Sequence, residues 1–399
     1  MKEVINVFFN FMLSINFIIL LLFFIFLYNI LIYLIRDRIY IENFNQHKDP
    51  EVVNISDLKK LPLVNIIIPA WKEGKVFEDC LLSISNLSYP YLKVIISAGG
   101  NDDTIQIANS FKKFNNFIIL EQKPGGKMKA LNDCLNYVSE GIIYSIDADV
   151  ILNDEILIRM LYPLINENQF VTAGSIRPLK LQENIDIVKY IVINRNTHFR
   201  IKFSRLGRVE ISGPNSCFKY EVIKKIGNFF NDKLFLASDR FRGPLIFSKG
   251  FKIYWLTDYR GKIFTYFPDS LKEYFLQEFR WRMNSLTNPY LQKKINIYIK
   301  FSISFLISLY LLSSPFFMFL NINLALIGLL ILLSKYLKKL RKTIFFKRTV
   351  NKKYYENFGL FFFFKLVIYI YMDAIITFYL GINLLITRNK HGNIRKQNI

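Results

Sequence analysis

The chain has 399 residues, of which 52% are hydrophobic and 16% aromatic, and 53 Lys+Arg against 31 Asp+Glu give it a formal charge of +22. A mean hydropathy of +0.23, with long uncharged runs at both ends, excludes a purely soluble globular protein, and few segments are polar and charged enough for extensive disorder. The basic excess lies between apolar runs, with +13 in residues 297–399 alone, so it reads as juxtamembrane charge and no nucleic-acid partner is expected.

No charge interrupts the chain between Glu3 and Arg36. About 20 residues at 1.5 Å each cross a hydrocarbon core, and the apolar region of a cleaved signal peptide is far shorter. Residues 4–35 therefore predict a transmembrane helix, followed by a linker over 36–61. Residues 62–290 are too long and too polar for a loop and predict a soluble domain. Within it Val64–Pro69, Leu92–Ser97, Asn116–Leu120 and Gly141–Ile146 read as strands. Helical patterns around Cys80–Ile84 and Met128–Val138 separate them. Such alternation predicts an α/β parallel sheet with ligands at the carboxyl ends of its strands. Cys80, Cys134 and Cys217 are odd in number and widely spaced, which fits neither a metal pattern nor a disulfide framework and suits a reducing compartment.

Beyond the soluble domain, residues 298–337 predict a transmembrane hairpin with a tight turn near Asn321-Ile322-Asn323. A basic loop over 338–356 follows, and Lys335–Lys353 contains nine basic residues and no acidic one, which places it in the cytoplasm. Residues 357–387 form a last apolar block broken by Lys365 and Asp373, read as transmembrane or partly interfacial, before a basic tail over 388–399. Arg36 and Arg38 put the soluble domain on the same side as the basic loop. The expectation is a multi-pass cell-membrane protein with its soluble domain in the cytoplasm, in contact with membrane lipid.

The polar residues that stand out lie at the predicted strand ends. Asp147 and Asp149, directly after IIYSI, can gather on one divalent cation, and oxygen-only ligation suits Mg²⁺ or Mn²⁺ bridging a diphosphate; the bland alternative is a turn pair. Gly125-Gly126-Lys127 precedes a helix and can expose backbone N–H groups and a cation to phosphate, although it also reads as a plain turn and is not a Walker A sequence. Asp239 could serve as a general base or equally as a helix cap or a partner of Arg240 or Arg242. Gln277, Arg280 and Trp281 fall close together on one helical face. Their aromatic plate suits sugar stacking, and an interfacial tryptophan belt would also explain Trp281.

Taken in order, VNIIIPAWKE, the glycine-rich turn before Asp102, GGKMKALN, DAD, SGPNSCF, Asp239 and QEFRW resemble the family 2 glycosyltransferases over about residues 62–285. The membrane branch with cellulose, chitin and hyaluronan synthases is the most similar. The resemblance implies a GT-A (Rossmann-like) nucleotide-sugar-binding domain flanked by transmembrane α-helices, a nucleotide-sugar donor, Mg²⁺ or Mn²⁺, and inversion at the anomeric carbon. By carry-over, Glu73 would contact the nucleoside, Lys127 would sit near the nucleotide, and Asp147 and Asp149 would hold nucleotide and metal. Asp239 would deprotonate the acceptor, with Gln277, Arg280 and Trp281 on the acceptor and diphosphate side. Ser97 and Ala98 stand where many relatives carry an aspartate pair for the base, and uridine is the expected base. Ser238 stands where glutamate often precedes the catalytic aspartate. The acceptor would be a growing polysaccharide, and with so few readable spans a second subunit or homodimer would complete any channel. The alternatives are transfer of one sugar to a lipid-linked acceptor and, more weakly, an inactive membrane-tethered nucleotide or polysaccharide sensor.

Overall fold

The computed structural model describes residues 15–39, 42, 49, 51–52, 54–194, 211–227, 238–256, 258–287, 295–349 and 358–387. The start of the predicted first span (4–14), part of the linker, residues 350–356 of the basic loop, residue 357 and the tail 388–399 lie outside the described residues. The chain divides into two compact units that alternate along the sequence. Met1–Gln46, Leu181–Asn196 and Pro268–Ile399 make a helical unit, while His47–Lys180 and Thr197–Phe267 make a sheet unit.

After α1 (Ile15–Leu31) the sheet unit runs β1 (Val64–Trp71), α2 (Lys75–Ser85), β2 (Leu92–Gly99), α3 (Thr104–Ser110), β3 (Phe117–Glu121), α4 (Lys127–Leu135) and β4 (Ile142–Ser145). The strands and helices predicted here are present, each within a few residues of its expected bounds. β5 (Val150–Ile151), α5 (Asp154–Ile165), β6 (Val171–Ala173) and β7 (Ile176–Pro178) follow. The helical unit then claims α6 (Asp186–Asn194) before the chain returns through β8 (Ser216–Lys219), α7 (Tyr220–Ile226), α8 (Ser238–Ser248), β9 (Ile253–Trp255) and β10 (Ile263–Thr265). The main sheet has the order β3-β2-β1-β4-β8-β6-β9, and β5-β10-β7 form a second, three-stranded sheet.

β1 is central and parallel to β2 and β4. Such a strand is covered on both faces and so reads as a continuous apolar run rather than an alternating one. Ile66 and Ile68 enter one hydrophobic core and Ile67 enters the other. Pro69 is tolerated in this central strand because pairing with β4 ends at Ile67, whose carbonyl accepts from Ile146 N at 3.3 Å. The N–H that Pro69 lacks would point to that same side, beyond the ladder, where no bond is lost. The three cysteines are buried and free.

The helical unit contains α1, α6, α9 (Leu271–Thr287), α10 (Ile295–Phe317), α11 (Ile322–Thr349) and α12 (Leu360–Thr387). The predicted turn joins α10 to α11, with Asn321 N donating to Phe317 O at 2.7 Å and Asn323 N to the Asn321 side chain at 2.9 Å. A Cβ at Gly328 of α11 would lie 2.2 Å from Ser314 Cβ, so glycine permits the close approach of the two helices. The basic segment differs from the loop expected over 338–356, because α11 runs unbroken through it to Thr349. Lys, Leu and Arg are good helix formers, and no Gly or Pro interrupts the stretch. Tyr298–Phe317 and Leu360–Leu384 are long and apolar enough to cross a membrane, while Leu20–Ile35 is apolar but shorter. Phe316, Phe361 and Phe364 lie exposed on these helices, as lipid-facing side chains would.

Candidate active site

Three turns at carboxyl ends of parallel strands assemble the candidate site of the sheet unit. The first follows β1, where Lys72 and Gly74 both take positive φ, 59° and 56°. This turn is held by the buried Thr104 at the start of α3, whose hydroxyl accepts from Glu73 N at 2.9 Å and Gly74 N at 3.4 Å. The second turn precedes α4. Gly126 has φ 83°, a conformation open to glycine at little cost, and it turns the chain so that Lys127 begins the helix. The third follows β4, where Asp147-Ala148-Asp149 carries the chain from the main sheet into β5 of the small one.

These turns bring Glu73, Lys127, Asp147 and Asp149 together. Lys127 Nζ makes a salt bridge to Asp147 Oδ1. Burial, with the charge of Asp147 beside it, pushes the Asp149 carboxyl up to about 6 against the opposing pull of Lys127 and the hydroxyl of Thr265. Burial likewise lifts Glu73 to about 7, with Asp149 and then Asp147 adding to the rise and Lys127 working against it. Three carboxylates therefore share a partly buried region with one ammonium, an imbalance that an added cation would relieve.

Among the described residues no group of three His, Cys, Asp or Glu side chains forms a ready metal cage. The donor chemistry nevertheless fits Mg²⁺ or Mn²⁺. Such ions are held by one or two carboxylates and complete their shell with water and substrate phosphates, and Asp147 and Asp149 provide two oxygen donors in a region of surplus negative charge.

Residues that the sequence did not single out hold this arrangement. Asn215, fully buried within SGPNSCF, accepts from Tyr144 OH at 2.7 Å and donates to the carbonyls of Ser175 at 3.0 Å and Gly261 at 3.1 Å. It thereby ties β4, next to the aspartates, to the chain leading into β7 and β10. Thr265 of β10 supports Asp149 in turn. Only the SGPNSCF pattern gave a signal in the sequence, and it gave no role. Ser97 and Ala98, on β2, are buried.

The remaining predicted residues belong to other elements. The backbone of Asp239 belongs to the first turn of α8, and its side chain lies outside the described residues. Gln277, Arg280 and Trp281 are on α9 of the helical unit, with Arg280 and Trp281 exposed.

A Rossmann-like sheet with carboxylates at the β4 exit and a small second sheet beyond them defines the GT-A class. The chain belongs to the family described as "Glycosyltransferase like family 2", which it matches over residues 62–284, more than half its length. Among curated proteins it is 23% identical over 254 residues to an N-acetylglucosaminyltransferase of Rhizobium meliloti, covering 59% of this chain and 58% of that protein. It is 28% identical over 102 residues to the poly-beta-1,6-N-acetyl-D-glucosamine synthase of Staphylococcus epidermidis, a quarter (25%) of each chain. These matches span well under two thirds of the relatives' own length. Among solved structures, the mannosyltransferase PcManGT from Pyrobaculum calidifontis, in complex with GDP-Man and Mn²⁺, aligns with TM-score 0.52 at 15% identity. That alignment covers 92% of this chain and 99% of the other, and it supports the fold.

Proposed function

We propose that the chain is a membrane-bound inverting glycosyltransferase that moves a sugar from a nucleotide-sugar donor to a hydroxyl of a growing polysaccharide. The observation that carries the reading is the convergence of Glu73, Lys127, Asp147 and Asp149 at the strand ends of a family 2 sheet unit. Uridine is the expected donor base. The two curated relatives named above make N-acetylglucosamine the first sugar to try. On this reading residues 62–290 are the cytoplasmic catalytic domain, with α9 on its acceptor side, and the apolar helices α1, α10 and α12 are its membrane anchor.

Asp147 and Asp149 would hold Mg²⁺ or Mn²⁺ with the donor diphosphate; when bound, the ion supplies positive charge against which the nucleotide diphosphate leaves. Lys127, now paired with Asp147, would turn its ammonium to the incoming phosphates. Glu73 lines the nucleotide side. Asp239 takes the proton from an acceptor hydroxyl, whose oxygen bonds to the anomeric carbon as the bond from that carbon to the diphosphate breaks, inverting the centre. Gln277, Arg280 and Trp281 hold the acceptor and the departing diphosphate.

A second reading, transfer of one sugar to a lipid-linked acceptor, is favoured by α11. Its apolar part, residues 322–334, is short for a full crossing and a poor start to a private polymer channel. The test is nucleotide diphosphate release by the purified full chain across uridine- and guanosine-linked sugars, with and without Mn²⁺ or Mg²⁺, using Asp239→Asn as control. Metal-dependent release from one donor, lost in the control, is expected. A polymer product supports synthesis, a single lipid product the second reading. Near-normal transfer by Asp239→Asn would sink the base assignment.

A further inference from the structure

Asp373 is the one acidic residue of α12, and it lies within the candidate span Leu360–Leu384. An acid at such a position is costly unless it is paired, and it calls for a functional account. Its Oδ1 accepts from Tyr274 OH at 2.7 Å and Arg282 Nη2 at 2.8 Å. Its Oδ2 accepts from Tyr190 OH at 2.6 Å and Lys339 Nζ at 3.2 Å. Arg282 Nη1 also donates to the Asp373 carbonyl at 3.3 Å and to Thr377 Oγ1 at 2.9 Å. One carboxylate thus gathers α6, α9, α11 and its own helix.

Two of the four donors to that carboxylate come from α9. Tyr274 and Arg282 are eight residues apart, about 12 Å along the axis, and yet converge on the same oxygen. A helix held at one point can roll; held at two points on one stripe it cannot. Glu278, between them on that stripe, accepts from Arg282 Nε at 3.2 Å and steadies the guanidinium. Gln277 and Trp281 form the neighbouring stripe, with Arg280 beyond it, so any roll of α9 would redirect all three.

We propose that Asp373 is a positioning residue for the acceptor side of the reaction, setting through Tyr274 and Arg282 the rotation of α9 and the direction in which Gln277, Arg280 and Trp281 are presented. The proposal rests on the reading that those three residues serve the acceptor. A burden on packing alone would affect donor and acceptor alike. A misdirected α9 instead separates the two.

The full chain in detergent, as wild type, Asp373→Leu, Asp373→Asn and Asp373→Glu, provides the test. For Asp373→Leu and Asp373→Asn, KM for the acceptor should rise about tenfold while KM for the donor stays within twofold. Asp373→Glu, which restores the carboxylate, should recover most of the loss. Backbone amide exchange should quicken in α9 of the Leu variant and stay unchanged in β1 and β4. The proposal is overturned if donor and acceptor KM rise together, or if the Leu variant keeps its acceptor KM within twofold. It is equally overturned if exchange in α9 does not change, a result readable without any activity. Failure of the wild type to release nucleotide diphosphate from any donor would instead defeat the enzymatic reading, and the acceptor role with it.

Discussion

Asp147 and Asp149 illustrate what a single side chain can decide. With Lys127 set against three carboxylates, negative charge is in excess at the β4 exit, and a divalent cation would relieve it. Replacing Asp149 by Asn should lower transfer about 10²–10³-fold, the range typical of losing one electrostatic contact to a leaving group, while the melting temperature changes little. Ligand linkage offers an independent check: Mn²⁺ with a nucleoside diphosphate at about 100 times Kd should stabilise the wild type by about 2.7 kcal/mol, seen as a raised Tm that a chelator abolishes. Asp149→Asn should lose that shift. A different carboxylate tests stability alone. Asp258 accepts from Arg260 Nε at 2.9 Å and Nη2 at 2.7 Å and from Arg159 Nη1 at 3.2 Å. Burial acts to raise its pKa, but these partners outweigh burial and hold it below the ordinary value. A carboxyl depressed in the folded state adds stability above its unfolded pKa and loses it as pH falls through the folded value. Asp258→Asn should therefore cost about 2–3 kcal/mol at pH 7 and progressively less below about pH 4, measured by urea denaturation.

At the scale of elements, the site depends on how β4, β7 and β10 are braced. Asn215→Ala would strand the carbonyls of Ser175 and Gly261 and the hydroxyl of Tyr144, all tied to one buried amide. A loss of about 3 kcal/mol is expected in denaturant titrations, with Tyr144→Phe costing about 1 kcal/mol and the double variant less than the sum. This brace also shows where the sequence stops being informative. β1, β2 and β4 were legible because buried parallel strands are apolar without alternation, and the carboxylates stood out because charge at the end of such a run is unusual. Thr104 and Asn215 were not legible. Their partners lie 31 residues away at Glu73 and 71 residues away at Tyr144, and a buried hydroxyl or amide resembles any surface one until the fold brings its partner near. The basic half of α11 was misread for a different reason: charge reports which side of a membrane a segment prefers, whereas its helical backbone follows from side-chain entropy.

For the whole molecule, the interleaving of the two units along the chain has a consequence for synthesis. The sheet unit is complete when Phe267 has been made, but it carries within it Leu181–Asn196, which belongs to the helical unit. In α6 of that segment Ile187, Val188, Tyr190, Ile191, Val192 and Ile193 are buried in the finished protein, where α6 packs against α11 and α12. Both helices are translated after Phe267. A ribosome pausing between them and Phe267 therefore displays an apolar helix without α11 and α12, its partners in the finished protein. Fragments spanning residues 47–267, which lack the apolar N-terminal run, should pellet or cling to membranes when pulse-labelled and fractionated. Serine at Ile187, Val188, Ile191 and Val192 should return them to the supernatant. The same order of events ties quality control to helix docking, because a nascent chain whose α11 and α12 fail to pack keeps α6 exposed as a marker for chaperones and proteases.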